Sequence, residues 1–168
     1  MSSGKQIPDP GFSGDDGAVD PAVRAALTAY GADPDSPESH LRALAVLQSA
    51  RLLVPVVAVL GESEVDEAGL RHDKTSDMAA VLMRGRDGRQ ALLAFTGSDA
   101  LQAWDPEARP VPVSAVQAAQ AARADGADAL LVDVGGPVLF VVEGDDLTSL
   151  AEEWVLTRLE DRWGWVRT

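Results

Sequence analysis

The sequence predicts an α+β fold, in which a single domain holds a mixed β-sheet with hairpins, packed by helices. Short apolar runs bounded by turn residues are typical of strands, and segments with apolar residues at helical spacing lie between some of them. The chain has 168 residues, of which 46% are hydrophobic, and this is enough for one sizeable core. It contains no internal repeat, so we expect one domain with helix-linked strands as well as hairpins.

The chain divides into three stretches. Residues 1–18 are rich in Gly, Ser, Pro and Asp, and this composition predicts a flexible tail. Residues 19–36 predict a short helix that Asp20 caps and Gly31 stops, followed by a linker. Residues 37–168 form the α+β domain, which ends in a C-terminal amphipathic helix.

The predicted domain opens with a helix over about residues 37–50 and a strand over 51–60. The strand, "RLLVPVVAVL", is apolar on both faces, so it should be central and covered on both sides. Pro55 cannot donate to a β-ladder and therefore indicates a bulge or a locally unpaired side.

A polar, acidic loop over residues 61–75 follows the first strand. Two apolar runs, "SDMAAVLMRG" and "RQALLAFTG", then flank the dipeptide Asp87-Gly88. Asp-Gly between apolar runs is typical of a tight turn, so these segments predict a β-hairpin.

The second half of the chain predicts three helices and three more extended segments. The first of these helices is "GSDALQAW", which Ser98 or Thr96 caps. The second is "SAVQAAQAARADGAD", which Ser114 caps and Gly126 stops. The prolines of "RPVPVSA" favour an edge strand, and two strands flank "DVGGP". The last segment, "GDDLTSLAEEWVLTRLEDRW", predicts a long amphipathic helix with Trp154 in the core.

Charge and composition exclude several classes of function. The net charge of −13 argues against nucleic acid and against anionic lipid, because both attract basic surfaces. The chain contains no cysteine, which excludes disulfides and thiol catalysis. The N-terminus has no apolar signal-peptide core, and the run at 52–60 is too short for a membrane span, so we expect a cytoplasmic protein.

No pattern in the sequence points to catalysis or to a metal. The only histidines are His40 and His72, neither lies in a nucleophile motif, and we expect both at the surface. The acidic run over residues 62–77 lacks the spacing of a calcium loop and is interpreted as a solvated loop. We therefore expect no catalytic residue, no metal site and no cofactor.

Two turns are candidate parts of a ligand-binding site. In "AFTGSDALQAW" a strand ends and a helix begins. Free amides at the start of a helix can bind an anion. The alternative is a capped helix whose Trp belongs to the core. After "DVGGP" a strand begins at Val138, so a tight turn is favoured over a phosphate-binding loop. The alternative is that this turn forms one wall of a surface site. The candidate ligand-binding residues are Phe95, Thr96, Ser98, Trp104, Asp133, Gly135 and Gly136.

The C-terminal segment "EEWVLTRLEDRWGWVRT" contains three of the four tryptophans. Trp and Arg are enriched at protein interfaces, whereas a buried Trp can equally belong to the core of the same chain. Both interpretations stay open. Trp163 and Trp165 are the candidate interface residues, through which the predicted helix would bind a protein partner or a second copy of the chain.

The order of several motifs resembles the SseB-like family. The motifs are "LLVPV", "LLAFTGSDALQAW" and "PVPVSAVQAAQAARADGADALLVDVGGPVLF", with a leucine-rich helix after them, and they cover about residues 38–152. Gly97 separates Thr96 from Ser98, where the family often has Thr-Ser directly. The resemblance implies an α+β domain without established catalytic residues, and relatives associated with specialised secretion loci in GC-rich bacteria.

These observations lead to three functional hypotheses, and an enzyme of unrecognised type is the last of them. The first is a non-enzymatic interaction or adaptor protein, because no catalytic constellation is found and the C-terminal segment is rich in Trp. The second is a domain that binds a small ligand, an amino acid or an anion, between the Thr96 turn and Asp133.

Overall fold

The computed structural model describes Phe12, residues 14–58 and residues 78–168, which contain five helices and nine strands. The helices are α1 (Pro21–Ala32), α2 (Pro37–Leu47), α3 (Ser98–Trp104), α4 (Ala115–Ala124) and α5 (Gly144–Ala151). The strands are β1 (Arg51–Ala58), β2 (Met78–Ala80), β3 (Leu82–Arg84), β4 (Gln90–Ala94), β5 (Arg109–Ser114), β6 (Ala129–Val132), β7 (Phe140–Glu143), β8 (Val155–Leu159) and β9 (Arg162–Val166). The predicted α+β class is confirmed.

The strands form three hydrogen-bonded sets in the orders β2-β1-β5, β3-β4-β6-β7 and β8-β9. Among the described strands, β4 and β6 run parallel, and the other neighbours are antiparallel. Leu53 and Phe95 join the first two sets through a pair of backbone hydrogen bonds of 2.7 and 2.8 Å. The four-stranded set is therefore a mixed sheet that contains hairpins, as predicted. Strand β5 lies at an edge of the three-stranded set.

Apolar side chains cover both faces of the central strands. On one face, Leu52 of β1 and Leu92 of β4 belong to the main core, which α1, α2, α4 and α5 complete. On the other face, Leu53, Leu93 and Phe95 pack with residues of α3 in a second, smaller core. Because both faces of β1 and β4 are covered, nearly every residue of these strands is apolar.

The helix starts follow the sequence more closely than the helix ends. Asp20 and Ser114 cap α1 and α4 as predicted, Ser36 caps α2, and Gly126 follows α4 with a left-handed φ of 74°. Helix α2, however, ends at Leu47 instead of at 50.

The prediction that Gly31 stops the first helix is wrong, because α1 continues through it to Ala32. A Cβ at this glycine would lie 2.9 Å from Cγ2 of Val138, so Gly31 allows the close approach of the turn before β7.

Three predictions about the strands also need correction. The single strand predicted over 76–85 is two strands, because β2 pairs with β1 and β3 pairs with β4, with the change of partner at Val81. Of the two alternatives predicted for Pro55, the bulge is wrong: Pro55 lies opposite Pro110 in an unbroken register, so the two residues without an amide hydrogen share one position. The strand after the glycines begins at Phe140 rather than at Val138.

The predicted long C-terminal helix is wrong. Helix α5 ends at Ala151, and Glu153 takes a left-handed φ of 66°. The amides of Glu153 and Trp154 donate to the carbonyls of Leu150 and Ser149, which is the hydrogen-bond pattern of a Schellman C-cap. The chain then forms the β8–β9 hairpin, in which Val, Thr and Trp residues suit strands better than a helix.

Candidate functional site

The parallel pairing of β4 and β6 brings the two candidate turns together. Ala94 at the end of β4 lies beside Val132 at the end of β6. Both strands run in the same direction, so the residues that follow them meet at one edge of the sheet. The amide of Asp133 continues the ladder by donating to the carbonyl of Ala94 at 3.0 Å.

Asp133 and Thr96 form a buried polar pair at this edge. One carboxylate oxygen of Asp133 accepts from the Thr96 amide at 2.8 Å, and the other accepts from the Thr96 hydroxyl at 2.7 Å. Asp133 is 3% exposed and Thr96 is 6% exposed. Burial raises the pKa of the Asp133 carboxyl, and the hydrogen bonds from Thr96 offset part of that rise.

The backbone of Asp133 is left-handed, with a φ of 58°. Asp and Asn adopt this conformation more readily than other residues with a Cβ. The amide of Gly136 donates to the Asp133 carbonyl at 3.0 Å and closes the turn. Asp133 therefore shapes its own turn while its side chain ties that turn to Thr96.

Residues 15–19, named here the N-terminal lip, pack against the Thr96 turn. Arg51 holds the lip: its guanidinium donates to the carbonyls of Ala18 and Thr96 and forms an ion pair with Asp15, with an Nε–Oδ2 distance of 2.6 Å. The Arg51 side chain is 14% exposed. Residues 15–18 thus contact the rest of the domain, although composition places them in a flexible tail.

The lip also explains the glycine between Thr96 and Ser98. A Cβ at Gly97 would lie 3.0 Å from the amide nitrogen of Val19 and 3.2 Å from the carbonyl oxygen of Gly17. The Ser98 amide donates to the Gly17 carbonyl at 2.7 Å. The helix cap is Gly97, without a side-chain hydrogen bond, so the predicted capping by Ser98 or Thr96 is wrong.

An open groove of about 910 Å³ lies beside the Thr96–Asp133 pair. Its walls are the lip and α1 on one side, the start of α3 on the second, and the turn after β6 on the third. Polar lining residues are Asp16, Arg24, Thr96, Ser98, Asp99 and Asp133; apolar ones are Ala18, Val19, Pro21, Leu27, Ala100, Ala103, Pro137 and Val138; and Gly17, Gly97, Gly135 and Gly136 complete the lining.

The structure brings most of the candidate ligand-binding residues to this groove. Five of them line it, namely Thr96, Ser98, Asp133, Gly135 and Gly136. Phe95 and Trp104 do not: Phe95 is fully buried, and its ring centroid lies 5.5 Å from that of Trp104 in the smaller core. These two side chains belong to that core and not to the groove lining.

Sequence reasoning missed Arg51 and the lip. The available signal was a single arginine directly before an apolar strand. A charged residue at the start of a buried strand usually has a partner, yet the sequence does not show that Asp15 lies within reach.

The candidate interface residues Trp163 and Trp165 lie on the β8–β9 hairpin and are half-buried against the main core. The indole of Trp163 donates to Glu38 at 3.0 Å, and that of Trp165 donates to Asp146 at 3.0 Å. Arg158 lies over the Trp163 ring at 5.9 Å from its centroid. The hairpin is thus attached to α2 and α5 of the same chain.

His40, expected at the surface, is only partly exposed. Its ring stacks on Phe140 with a centroid distance of 4.8 Å, and its Nε2 lies 3.4 Å from a carboxylate oxygen of Asp146. It does not line the groove. His72 and the acidic run at 62–77 lie outside the described residues.

The part of the chain that the structure describes contains neither a metal-binding cluster nor a membrane-spanning helix. In that part, no group of three or more His, Asp or Glu side chains could hold a metal ion. Its helices are all too short or too polar to cross a membrane.

The family model of the SseB protein N-terminal domain matches residues 23–149. No curated protein and no solved structure matches the chain significantly. The matched range includes both turns of the Thr96–Asp133 pair, whereas the lip and the β8–β9 hairpin lie outside it. Because the match covers well over half of the 168 residues, the chain belongs to the SseB family through that family's amino-terminal domain.

Proposed function

We propose that this protein is a non-enzymatic interaction module that binds a segment of a partner protein in the groove beside Thr96 and Asp133. The observation that carries the proposal is the groove itself. Its walls come from three separate parts of the chain, and the Thr96–Asp133 hydrogen bonds and the Arg51 contacts hold those parts together. A preorganised surface of this kind lowers the entropy cost of binding.

The polar pair supports a structural role in preference to a catalytic one. Both oxygens of the Asp133 carboxylate accept hydrogen bonds from Thr96, one from the amide and one from the hydroxyl. A nucleophilic hydroxyl would need a base that is in turn oriented by a third group. His40 is directed to Phe140 and Asp146 instead, so the groove lining described above lacks such a set.

The shape of the groove favours a protein segment over a small ligand. Small-ligand sites occupy about 300–1,000 Å³ and enclose about 70–90% of the ligand surface. The volume of this groove, about 910 Å³, lies within that range, but the groove is open to solvent and would enclose less of a small ligand than such sites do. The predicted anion site is also weakened, because the Ser98 amide at the start of α3 already donates to Gly17.

A matched pair of substitutions on α3 tests the proposal. Ala103 and Gln102 are both exposed, but Ala103 lines the groove and Gln102 does not. Ala103→Trp should fill the groove, whereas Gln102→Trp adds the same side chain elsewhere on the helix. Each variant and the wild type would be used to capture partners from the native cells, with quantification by mass spectrometry.

We expect at least one protein that wild type and Gln102→Trp capture equally and that Ala103→Trp loses. Equal urea midpoints for the two variants would show that both fold. If every captured protein is retained equally by Ala103→Trp, the groove is not the binding site and the proposal is wrong.

A further inference from the structure

The groove has a charge pattern that restricts what can bind. The exposed charged residues in its lining are Asp16, Asp99 and Arg24, so carboxylates outnumber cations two to one. Among the described residues, neither Asp16 nor Asp99 forms an ion pair with a cation within 4 Å. The third lining carboxylate, Asp133, is buried and bonded to Thr96. Asp99 and Asp16 are therefore the lining carboxylates that face solvent, although one oxygen of Asp16 accepts a hydrogen bond from the Ala18 amide at 2.9 Å.

The rest of the groove is predominantly apolar. Leu27 of α1, Ala103 of α3 and Val138 of the turn before β7 face it from three different elements. An apolar side chain placed among them would lose its contact with water, at a gain of about 25 cal/mol per Å² of apolar surface buried. A strongly polar segment would gain nothing from these walls.

The charge of the whole chain acts in the same direction as the groove. With a net charge of −13, the protein repels acidic partners and attracts basic ones at distances within about one Debye length, near 8–10 Å at physiological salt. Charge complementarity of this kind raises association rates and suppresses wrong partners more than it raises affinity.

We infer that the groove binds an exposed segment of a partner protein in which a Lys or Arg stands next to an apolar side chain. The apolar side chain packs among Leu27, Ala103 and Val138, and the cation is held by Asp99 and Asp16. This inference rests on the proposed function, because it names the chemistry of the segment that the same groove would bind.

The test is selection from a phage-displayed library of random peptides. Wild-type protein serves as bait, and Ala103→Trp is used to remove peptides that bind elsewhere. Enriched peptides would then be synthesised and titrated against wild type, Asp99→Lys, Gln102→Trp and Ala103→Trp by fluorescence anisotropy. Gln102→Lys is the matched control for Asp99→Lys, because it adds a positive charge on the same helix outside the groove lining.

We expect the enriched peptides to carry Lys or Arg within two positions of an apolar residue. An exposed ion pair contributes little binding energy, but Asp99→Lys removes an attraction and adds a repulsion, so it should weaken binding by roughly 5- to 10-fold. Gln102→Lys should weaken binding by less than about twofold. Raising the salt concentration should weaken the wild-type complex as well.

The failures of the two proposals are distinguishable. Groove-dependent peptides that are acidic or purely apolar, or that bind Asp99→Lys as tightly as wild type, would overturn the basic-apolar inference and leave groove binding intact. If no enriched peptide loses affinity for Ala103→Trp, and partner capture is also unchanged by that substitution, the proposed function itself is wrong.

Discussion

Asp133 accepts two hydrogen bonds from Thr96, one from the amide at 2.8 Å and one from the hydroxyl at 2.7 Å. Both residues lie just beyond the ends of the parallel strands β4 and β6. The pair thus joins two loops that are 37 positions apart in the chain, and both residues line one groove. The role of each atom in the pair can be tested separately.

Two substitutions of Asp133 should distinguish the contribution of its hydrogen-bonding shape to stability from the contribution of its charge. Asp133→Asn keeps an acceptor for the Thr96 amide, tolerates the left-handed backbone, and can donate to the Thr96 hydroxyl, so we expect a change in the free energy of unfolding of less than about 1 kcal/mol. Asp133→Ala leaves two buried donors unpaired on a strained backbone and should cost about 2–4 kcal/mol. Urea unfolding at pH 7 measures both, and equal losses would show that the charge, not the geometry, matters.

Asp133 and Asp146 should respond to acid in opposite directions. Burial raises the pKa of Asp133, so its contribution favours the folded state below its unfolded pKa, near 3.9, and is lost as the pH rises through the folded value. The hydrogen bond with His40, helped by Trp165, lowers the pKa of Asp146. The stabilisation from Asp146 is therefore present above about pH 4 and is lost as the pH falls through its lower folded value.

The measurement is the urea midpoint of wild type, Asp133→Asn and Asp146→Asn between pH 7 and pH 2. The advantage of wild type over Asp146→Asn should shrink below about pH 4. Relative to Asp133→Asn, wild type should instead gain stability as the pH falls. Parallel curves for the three proteins would contradict both assignments.

Arg51 should anchor the N-terminal lip. Arg51→Met removes its hydrogen bonds to the carbonyls of Ala18 and Thr96 and leaves Asp15 without its cation, and we expect a loss of about 2–3 kcal/mol. Arg42→Met is the control, because Arg42 forms an exposed ion pair with Glu38 and should contribute less than about 0.5 kcal/mol. Limited proteolysis should cut Arg51→Met within residues 14–19 faster than wild type; equal rates would mean that other contacts hold the lip.

The half-buried tryptophans should matter for stability more than for association. Each indole nitrogen donates to a carboxylate of the same chain, so Trp163→Ser with Trp165→Ser should cost about 2–4 kcal/mol, somewhat less than the loss of fully buried aromatic residues. Leu159→Ser on the same hairpin is the control: its side chain is 48% exposed, and we expect a change of about 0.5 kcal/mol or less. Light scattering after size exclusion would reveal an interface if the double variant lowers the mass of an oligomer while its stability stays unchanged.

Local sequence signals predicted the starts of α1, α2 and α4, because a cap acts over three or four residues, whereas the predicted cap of α3 lay one residue away from Gly97. Ser114 and Gln117 form a reciprocal capping box, whose two residues are only three positions apart in the chain. The C-terminal hairpin was missed because Glu153 occupies the left-handed position where glycine is the usual signal. Leucines and tryptophans at near-helical spacing then favoured one long helix, although the same residues also suit alternating strands.

The candidate site was predictable in part for a related reason. Thr96 and Asp133 each follow an apolar strand, and a turn after a strand is visible in a sequence. That they touch depends on the parallel register of β4 and β6, which no local pattern states. Arg51 and the lip depend on a contact across 36 positions, so they could not be inferred from composition, which instead indicates a tail.

Binding through the groove is tested most directly by site-specific photo-crosslinking in cells that make the protein. A benzophenone amino acid would replace Ala103 in one variant and Gln102 in another, so that the probe lies inside the groove or beside it on the same exposed helix. We predict that light produces a crosslinked partner protein from position 103 and not from position 102. Crosslinking of equal yield at both positions, or at neither, would contradict a partner-binding groove.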